Sequence, residues 1–458
     1  MELTISNEIT IHDPTPEVRQ WIYDKLKVPN PEYANKARLG LWLGSTPKEL
    51  KLYRVSGNSI IIPYGVRNSL FHAFPELNTY EHKCVFATNK PVNYNASIKL
   101  YDYQENAVQS LVRASGGILQ SKAGSGKTRM GIALICALGK KTLWLTHTNE
   151  LLNQSYNAAA EFIDKKLLGK ITAGKIQIAD GITFATVQTL CKADLQALRY
   201  EWDMIVTDEC HRASMSVTRA TMFSKVLNNL AAEYKYGLSA TLHRADGLIK
   251  CTYALVGGVA HTVPDSVVNT MRVEIQKKET GVQISRKCLD TDGTLVYAKL
   301  INYLADCGKR NLQIATDIME LCNDKHSIIL LSDRVSHLQE IYNILPKVYQ
   351  EDTVILHGKV KKSDREIALE QMRNEEKHIL LATYQLAKEG LDVPCLDRLL
   401  LATPVKDYAI VVQSVGRIAR VCEGKGTPVV YDYVDDIGFL QGMWKKRCTS
   451  YRKDGCIL

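Results

Sequence analysis

The sequence predicts an α/β chain: two tandem parallel-sheet domains preceded by a small α/β domain at the amino terminus. Three observations carry this. At 458 residues, 45% of them hydrophobic, the chain has room for about two or three cored domains. Through two long blocks, short β-rich runs alternate with helical stretches, the order that makes open parallel sheets covered by helices on both faces. The chemistry-bearing motifs fall at the carboxyl ends of those runs, where such sheets bind ligands.

The first block, 1–95, departs from the alternation. Thr15-Pro16 reads as an N-cap followed by proline at the first helical position, and Val18, Trp21, Ile22 and Leu26 recur at helical spacing. Leu50–Val55 and Ser59–Ile62, joined by Ser56-Gly57-Asn58, predict a hairpin, and Asn89-Lys90-Pro91-Val92-Asn93 a linker. In the second block, 96–280, strands are expected at Gly117–Gln120, Thr142–Thr146, Thr183–Thr186, Met204–Thr207 and Lys235–Ala240, with a helix over Gly126–Leu138 closed by Gly139. In the third, 281–458, they are expected at Ser327–Ser332, Thr353–Leu356, His378–Thr383, Arg398–Thr403 and Pro428–Tyr433.

Composition narrows the class. A net charge of +9 suits a polyanionic partner without requiring one. Twelve cysteines form no C-x-x-C pair, which disfavours structural zinc and a disulfide framework and suits a reducing interior. The start Met1-Glu2-Leu3-Thr4-Ile5-Ser6 has no basic or apolar signal region, and no apolar stretch is long enough to span a bilayer. A soluble cytoplasmic protein is expected.

Ser121-Lys122-Ala123-Gly124-Ser125-Gly126-Lys127-Thr128 lies between an expected strand and an expected helix. There, glycines let backbone N–H groups turn toward phosphate oxygens, the helix start adds positive potential, Lys127 supplies a cation and Thr128 a ligand for magnesium. Ser121 stands where the strict pattern has glycine. Asp208-Glu209-Cys210-His211 closes the strand-like run Trp202–Thr207. One carboxylate can hold magnesium and its neighbour can polarise water; alone, such a pair would be a solvated turn.

These residues resemble superfamily 2 helicases, whose DExH box matches Asp208-Glu209-Cys210-His211. Tyr103-Gln104, Ser239-Ala240-Thr241 and Gln413-Ser414-Val415-Gly416-Arg417-Ile418-Ala419-Arg420 resemble further signatures of that family, in its order. The resemblance spans about residues 100–435 and implies RecA-like folds for the two sheet domains, with ATP and Mg2+ as cofactors. It implies that Tyr103 and Gln104 read adenine and that Ala123, Gly124, Ser125, Gly126, Lys127 and Thr128 cradle phosphates. Thr128 and Asp208 would hold the metal, Glu209 would be the general base, and Gly390 and Asp392 would also line the nucleotide. Gln413 would position water, with Arg417 and Arg420 reaching across the domain cleft as arginine fingers; which of the two dominates stays open.

The resemblance also implies a nucleic-acid track of Thr146, His147 and Thr148, then Thr186, Gln188 and Thr189, then His357, Gly358 and Thr383. Contacts of this kind hold a backbone without reading sequence. Each threonine alone is more often a helix cap or strand residue. The turn Arg244-Ala245-Asp246-Gly247, with Arg310-Asn311 and Arg365, resembles DNA-acting members, among them phage branch-migration helicases. Arg244 would then contact DNA, or form a local salt-bridged turn.

In the first block Lys25, Lys27, Lys36, Arg38, Lys48, Lys51, Arg54 and Arg67 interleave with Tyr33, Trp42, Tyr53, Tyr64 and Phe71. That suits a surface that grips phosphates and stacks on bases, or an aromatic core with a basic rim. The tail Trp444–Lys453 is a basic helix or a DNA contact. The expected function is ATP-dependent unwinding or branch migration of forked and four-way DNA by a monomer. An RNA helicase, the motor of a restriction or nuclease system, and a non-motor ATP switch are the alternatives.

Overall fold

The computed structural model describes residues 1–458 except 123, 173–174, 214–220, 243–245, 269, 389–390, 392 and 406–407. The chain divides into two compact units, 1–122 with 126–268, and 269–458 with 123–125.

The first unit opens with the small module. Its strands are β1 (Glu2–Ile5), β2 (Glu8–His12), β3 (Lys27–Pro29), β4 (Glu49–Lys51), β5 (Arg54–Ser56), β6 (Ser59–Pro63) and β7 (His82–Cys84). They form a sheet of order β5-β6-β2-β1-β7 and a separate β3–β4 ladder. Alternation along β1, β2 and β6 turns Leu3, Ile5, Ile9, Ile11, Ile60 and Ile62 onto one face. The helix Pro16–Lys25, capped by Thr15, drives Val18 and Ile22 into that core. The hairpin forms over a shorter span than expected: Leu50 belongs to β4, paired with β3, and only Arg54–Ser56 returns on β6.

The module shares its core with the sheet domain behind it. Cys251 and Ala254 of the helix Ile249–Val256 pack into the same apolar cluster. At Gly65 an added Cβ would lie 2.6 Å from the carbonyl of Tyr253 and the amide of Gly257, so only glycine allows this approach. Tyr64 donates to the Glu233 carbonyl at 2.7 Å, and Arg199 to Asn7 Oδ1 at 2.6 Å. The wholly buried Lys235 ammonium donates to the carbonyls of Asn7 and Leu227 at 3.2 and 2.8 Å.

The first large sheet contains β8 (Gly117–Gln120), β9 (Thr142–Thr146), β10 (Leu168–Thr172), β11 (Lys175–Gln177), β12 (Ile182–Thr186), β13 (Met204–Asp208), β14 (Tyr234–Ser239) and β15 (Val259–Thr262). Their order is β11-β10-β12-β9-β13-β14-β8-β15, parallel except for β11. The five expected strands are the inner ones, whose residues are apolar because both faces are covered. The unforeseen ones sit toward the edges; β11 is exposed throughout and β15 nearly so, which leaves no apolar run to read.

The second unit holds β16 (Glu274–Glu279), β17 (Ile328–Ser332), β18 (Thr353–Leu356), β19 (Ile379–Thr383), β20 (Arg398–Leu401) and β21 (Val429–Val434), in the order β16-β21-β20-β17-β19-β18, all parallel. Because β16 pairs with β21, this sheet starts before the boundary expected at 280/281. The tail is a helix, Gly438–Lys453. Its Arg447 is buried and grips Asp432 through Nε and Nη2, both at 2.7 Å, while Tyr451 donates to the same carboxylate. Arg310 is likewise interior, with Nε 2.8 Å from Asp435 and Nη1 2.6 Å from the Ala402 carbonyl. Asn311 beside it bonds His337 and the Ala305 carbonyl, so this pair holds the fold together. Among the described residues no helix is long and apolar enough to cross a membrane.

Candidate nucleotide and nucleic-acid sites

The glycine-rich loop follows β8 and ends at the helix Lys127–Leu138. Gly126 caps that helix in the left-handed region, φ +79°, and an added Cβ would sit 2.5 Å from Gln104 Nε2. Glycine is therefore required twice, for the turn and for the closeness of the glutamine amide. Lys127 Nζ donates to the carbonyls of Ser121 and Lys122, each at 3.0 Å, which keeps the ammonium under the arch of the loop. Gly124 is exposed with φ +82°, Ser125 is buried, and Thr128 is half-buried in the first helical turn. Gln104 is buried; its Oε1 accepts from Tyr101 N at 3.1 Å and its Nε2 lies 3.4 Å from Tyr103 Oη. The Tyr103 ring stacks on that of Tyr101 with centroids 5.9 Å apart.

The carboxylates stand at the end of β13, separated from β8 only by β14. Asp208 Oδ1 accepts from Glu209 N at 3.0 Å, and Ser155 Oγ lies 3.5 Å from Oδ2. Glu209 takes a left-handed backbone, φ +47°, unusual for a residue with a side chain and of a kind found at functional sites. His211 Nδ1 is 3.1 Å from Glu209 Oε2 and 3.0 Å from Ser239 Oγ. Ser239 gives its own proton to the Thr241 carbonyl at 2.7 Å, so toward His211 it acts as acceptor and Nδ1 carries the hydrogen. One histidine thus joins the acidic pair to Ser239-Ala240-Thr241.

Burial, and then the charge of Glu209, push Asp208 well above the usual carboxylate range, with Lys127 opposing. Burial would raise Glu209 too, but the His211 hydrogen bond, Lys127 and Arg212 outweigh it and hold that carboxyl low. The result is one ionised and one reluctant carboxylate. A glycine cradle, a helix start, an ammonium and a carboxylate that a divalent cation would relieve fit a magnesium–nucleotide. Cys210, the variable position of the box, is buried; a Cβ on Gly237 of β14 would come 2.6 Å from its Sγ.

The threonines of the expected track are largely occupied. Thr146 is fully buried at the end of β9 and donates to the Thr148 carbonyl at 3.1 Å. Thr148 and Thr186 are N-caps, accepting from Leu151 N and Thr189 N, and the Thr186 and Thr189 hydroxyls are 2.9 Å apart. Exposed Gln188 donates to the His147 carbonyl at 2.6 Å, tying together the loops that follow the adjacent strands β9 and β12. The His147 imidazole is driven down to about 4 by burial and by Arg212, so at neutral pH it brings no positive charge to a phosphate.

In the second unit His357-Gly358 follows β18 and Thr383 ends β19, neighbouring strands. His357 Nδ1 accepts from Lys359 N at 3.3 Å; Gly358 is exposed and Thr383 half-buried. Gln413 Oε1 is buried without a hydrogen bond among the described residues. Arg417 donates through Nε to the Ala387 carbonyl at 3.1 Å and through Nη1 to the Leu391 carbonyl at 2.9 Å, within its own unit. Arg420 is half-buried close to Arg373, and burial followed by that like charge lowers its proton affinity. Ala123, Arg244, Gly390 and Asp392 lie outside the described residues.

Two site residues have no motif. Ser155 shares the buried stripe Leu152, Ser155, Ala159 of its helix, and a hydroxyl on such a stripe is the signal for it. Arg212 follows the acidic box and carries charge to both Glu209 and His147.

Comparison with known proteins agrees with this layout. The family described as type III restriction enzyme, res subunit, matches residues 97–244, and the helicase conserved C-terminal domain matches 310–422. A protein of Acanthamoeba polyphaga mimivirus named as an ATP-dependent RNA helicase is 26% identical over 89% of this chain and 78% of its own length. The ATP-dependent DNA helicase uvsW of Enterobacteria phage T4 is 24% identical over 75% and 70%. Among solved structures, S. cerevisiae Dbp5 bound to RNA and ADP BeF3 aligns with a TM-score of 0.54 at 18% identity, over 79% of this chain and 89% of that one, a similarity of fold.

Proposed function

From the premise that the chain is a superfamily 2 helicase resembling phage branch-migration helicases, we propose that it is an ATP-driven motor that unwinds and branch-migrates forked and four-way DNA. The observation that carries this is the amino-terminal module, built into one compact unit with the nucleotide-binding sheet through the helix after Ser239-Ala240-Thr241. A module so joined moves with the motor, as a device acting where strands part must.

ATP binds with its phosphates on the N–H groups of 123–128 and on Lys127, and its base against Tyr103 and Gln104. Thr128 and Asp208 would hold magnesium, which would screen the phosphate charge. Glu209, ionised and oriented by His211, takes the proton of the attacking water; Gln413 positions that water. Arg420 supplies charge to the transition state, whereas Arg417 is committed to the carbonyls of Ala387 and Leu391. Gly390 and Asp392 complete the nucleotide contacts. Gln188, Thr189, Gly358 and Thr383 touch the sugar-phosphate backbone, and Arg244 is a further DNA contact. Thr146, Thr148 and Thr186 shape the loops that do so, and His147 contributes main chain. The motor acts as a monomer in the cytoplasm.

RNA is the second substrate to weigh, because the mimivirus relative is named for it. ATPase rates with single-stranded RNA, single-stranded DNA, duplex, fork and four-way junction separate the two. Strongest stimulation by fork or junction is expected. Selective stimulation by RNA overturns the DNA assignment.

A further inference from the structure

We propose that Trp42 is a stacking wedge that receives an unpaired base where a DNA duplex opens; this rests on the branched-DNA function above. The module's aromatics sort by burial. Tyr64 is buried, Tyr53 stacks on Tyr23 at 5.1 Å, and Phe71 lies edge-on to His82 at 5.3 Å. Among the chain's five tryptophans, Trp144 and Trp202 are interior, Trp21 and Trp444 half-buried, and Trp42 is 88% exposed. Leu39 and Leu41 beside it are also open to solvent.

The loop that carries Trp42 is braced. It follows the helix Pro31–Arg38, which buries no residue of its own, and turns at Gly40 and Gly44, φ +64° and +49°. The indole leans over Gly44 so closely that a Cβ there would lie 2.7 Å from the ring. Lys36 Nζ reaches both Glu32, at 2.7 Å, and Thr46 Oγ1, at 2.8 Å, and Asn30 Nδ2 donates to the Pro47 carbonyl at 2.8 Å. The ring is thereby held out on a fixed arm rather than on a loose tail.

Charge selects the occupant. Residues 25–54 carry seven Lys and Arg against two Glu. With Lys36 paired to Glu32 and Arg54 to Glu8, Lys25, Lys27, Arg38, Lys48 and Lys51 still outnumber Glu49, so the stretch that carries Trp42 favours a polyanion. An indole stacks on any base, which serves a motor indifferent to sequence. Paired bases inside a duplex are already stacked and out of reach; the unpaired base at a branch is available. Because the module shares a core with the motor sheet, a base caught on Trp42 would be held at a fixed place relative to the moving strand.

The test uses the full chain carrying Trp42→Ala and Trp42→Phe, with a fork bearing 2-aminopurine at the branch. Wild type should quench the 2-aminopurine. Trp42→Ala should abolish the quenching and weaken fork binding and unwinding by about 10- to 100-fold, the scale of one lost base–aromatic stack. Its ATPase on long single-stranded DNA should stay at the wild-type level, and Trp42→Phe should keep most fork activity. Unchanged fork binding by Trp42→Ala overturns the wedge and leaves the DNA motor standing. A wild-type enzyme stimulated by no DNA overturns the underlying function instead. A wild-type dimer that Trp42→Ala turns into a monomer overturns the wedge in favour of a second copy of the chain.

Discussion

In the second unit Arg310 meets Asp435 and Arg447 meets Asp432 in the interior, each cation matched to one carboxylate with further carbonyl or hydroxyl partners. In the first unit Asp208 and Glu209 crowd together at the end of β13 with Lys127 and His211 nearby, and their proton affinities are driven apart. Both arrangements bury charge. Matched pairs keep a fold together, whereas an unbalanced group leaves charge to be completed by a metal, a phosphate or a proton.

The sharpest way to break this comparison is to exchange the two arginines that one motif offers. Arg417 is spent on two carbonyls, while the proton affinity of Arg420 is lowered by burial and then by the charge of Arg373. Arg420→Ala should lower nucleic-acid-stimulated ATPase by about 10³-fold or more while leaving the melting temperature near wild type. Arg417→Ala should lower the melting temperature measurably. The opposite pattern would make Arg417 the finger. Next in size, Glu209→Gln should cut turnover by about 10²- to 10⁴-fold while retaining binding of a fluorescent nucleotide. Turnover within tenfold of wild type would remove Glu209 from the role of base.

Arg447→Met tests the matched pair. It strands Asp432 in the interior with Tyr451 as its remaining side-chain partner among the described residues, and urea unfolding should show a loss of about 3–5 kcal/mol. The ATPase of the protein that remains folded should be close to normal. A loss below about 1 kcal/mol would place this pair among the inconsequential surface bridges instead.

How much of this was legible follows the same division. Inner strands, buried on both faces, announce themselves as apolar runs, and the glycine loop and acidic box are local patterns fixed by local chemistry. Edge strands β11 and β15 carry no such imprint, and β16 fell on the wrong side of the expected boundary because its partner β21 is distant in the chain, Glu274 pairing with Val429. Partnership at a distance also hid Ser155 and the interior contacts of Arg310 and Asn311. The threonines divided as isolated threonines do: Thr148 and Thr186 are caps. Nor could the sequence reveal that the first block shares a core with the helix Ile249–Val256, so that deleting it would strip Cys251 and Ala254 of their packing.

Lys235 offers the smallest and most specific test, because it is a buried cation without a matched carboxylate among the described residues. Its ammonium rests on two carbonyls and lies 5.0 Å from the Tyr64 ring, and burial lowers it to about 7, with Glu8 a weaker opposing influence. An unfolded lysine titrates near 10.4, so between about pH 7 and pH 10 the unfolded chain binds a proton that the folded chain has released. Stability from this group must therefore rise with pH across that window and be lowest below it. Lys235→Met removes the titration while leaving the carbonyls of Asn7 and Leu227 short of a donor, so its absolute stability is not the quantity to compare. The difference between variant and wild type is. Urea unfolding at pH 7 and pH 9.5 should show wild type gaining on Lys235→Met as pH rises. A constant difference would mean that the carbonyls and the tyrosine ring solvate the ammonium fully, and Lys235 would then belong with the matched pairs of the second unit.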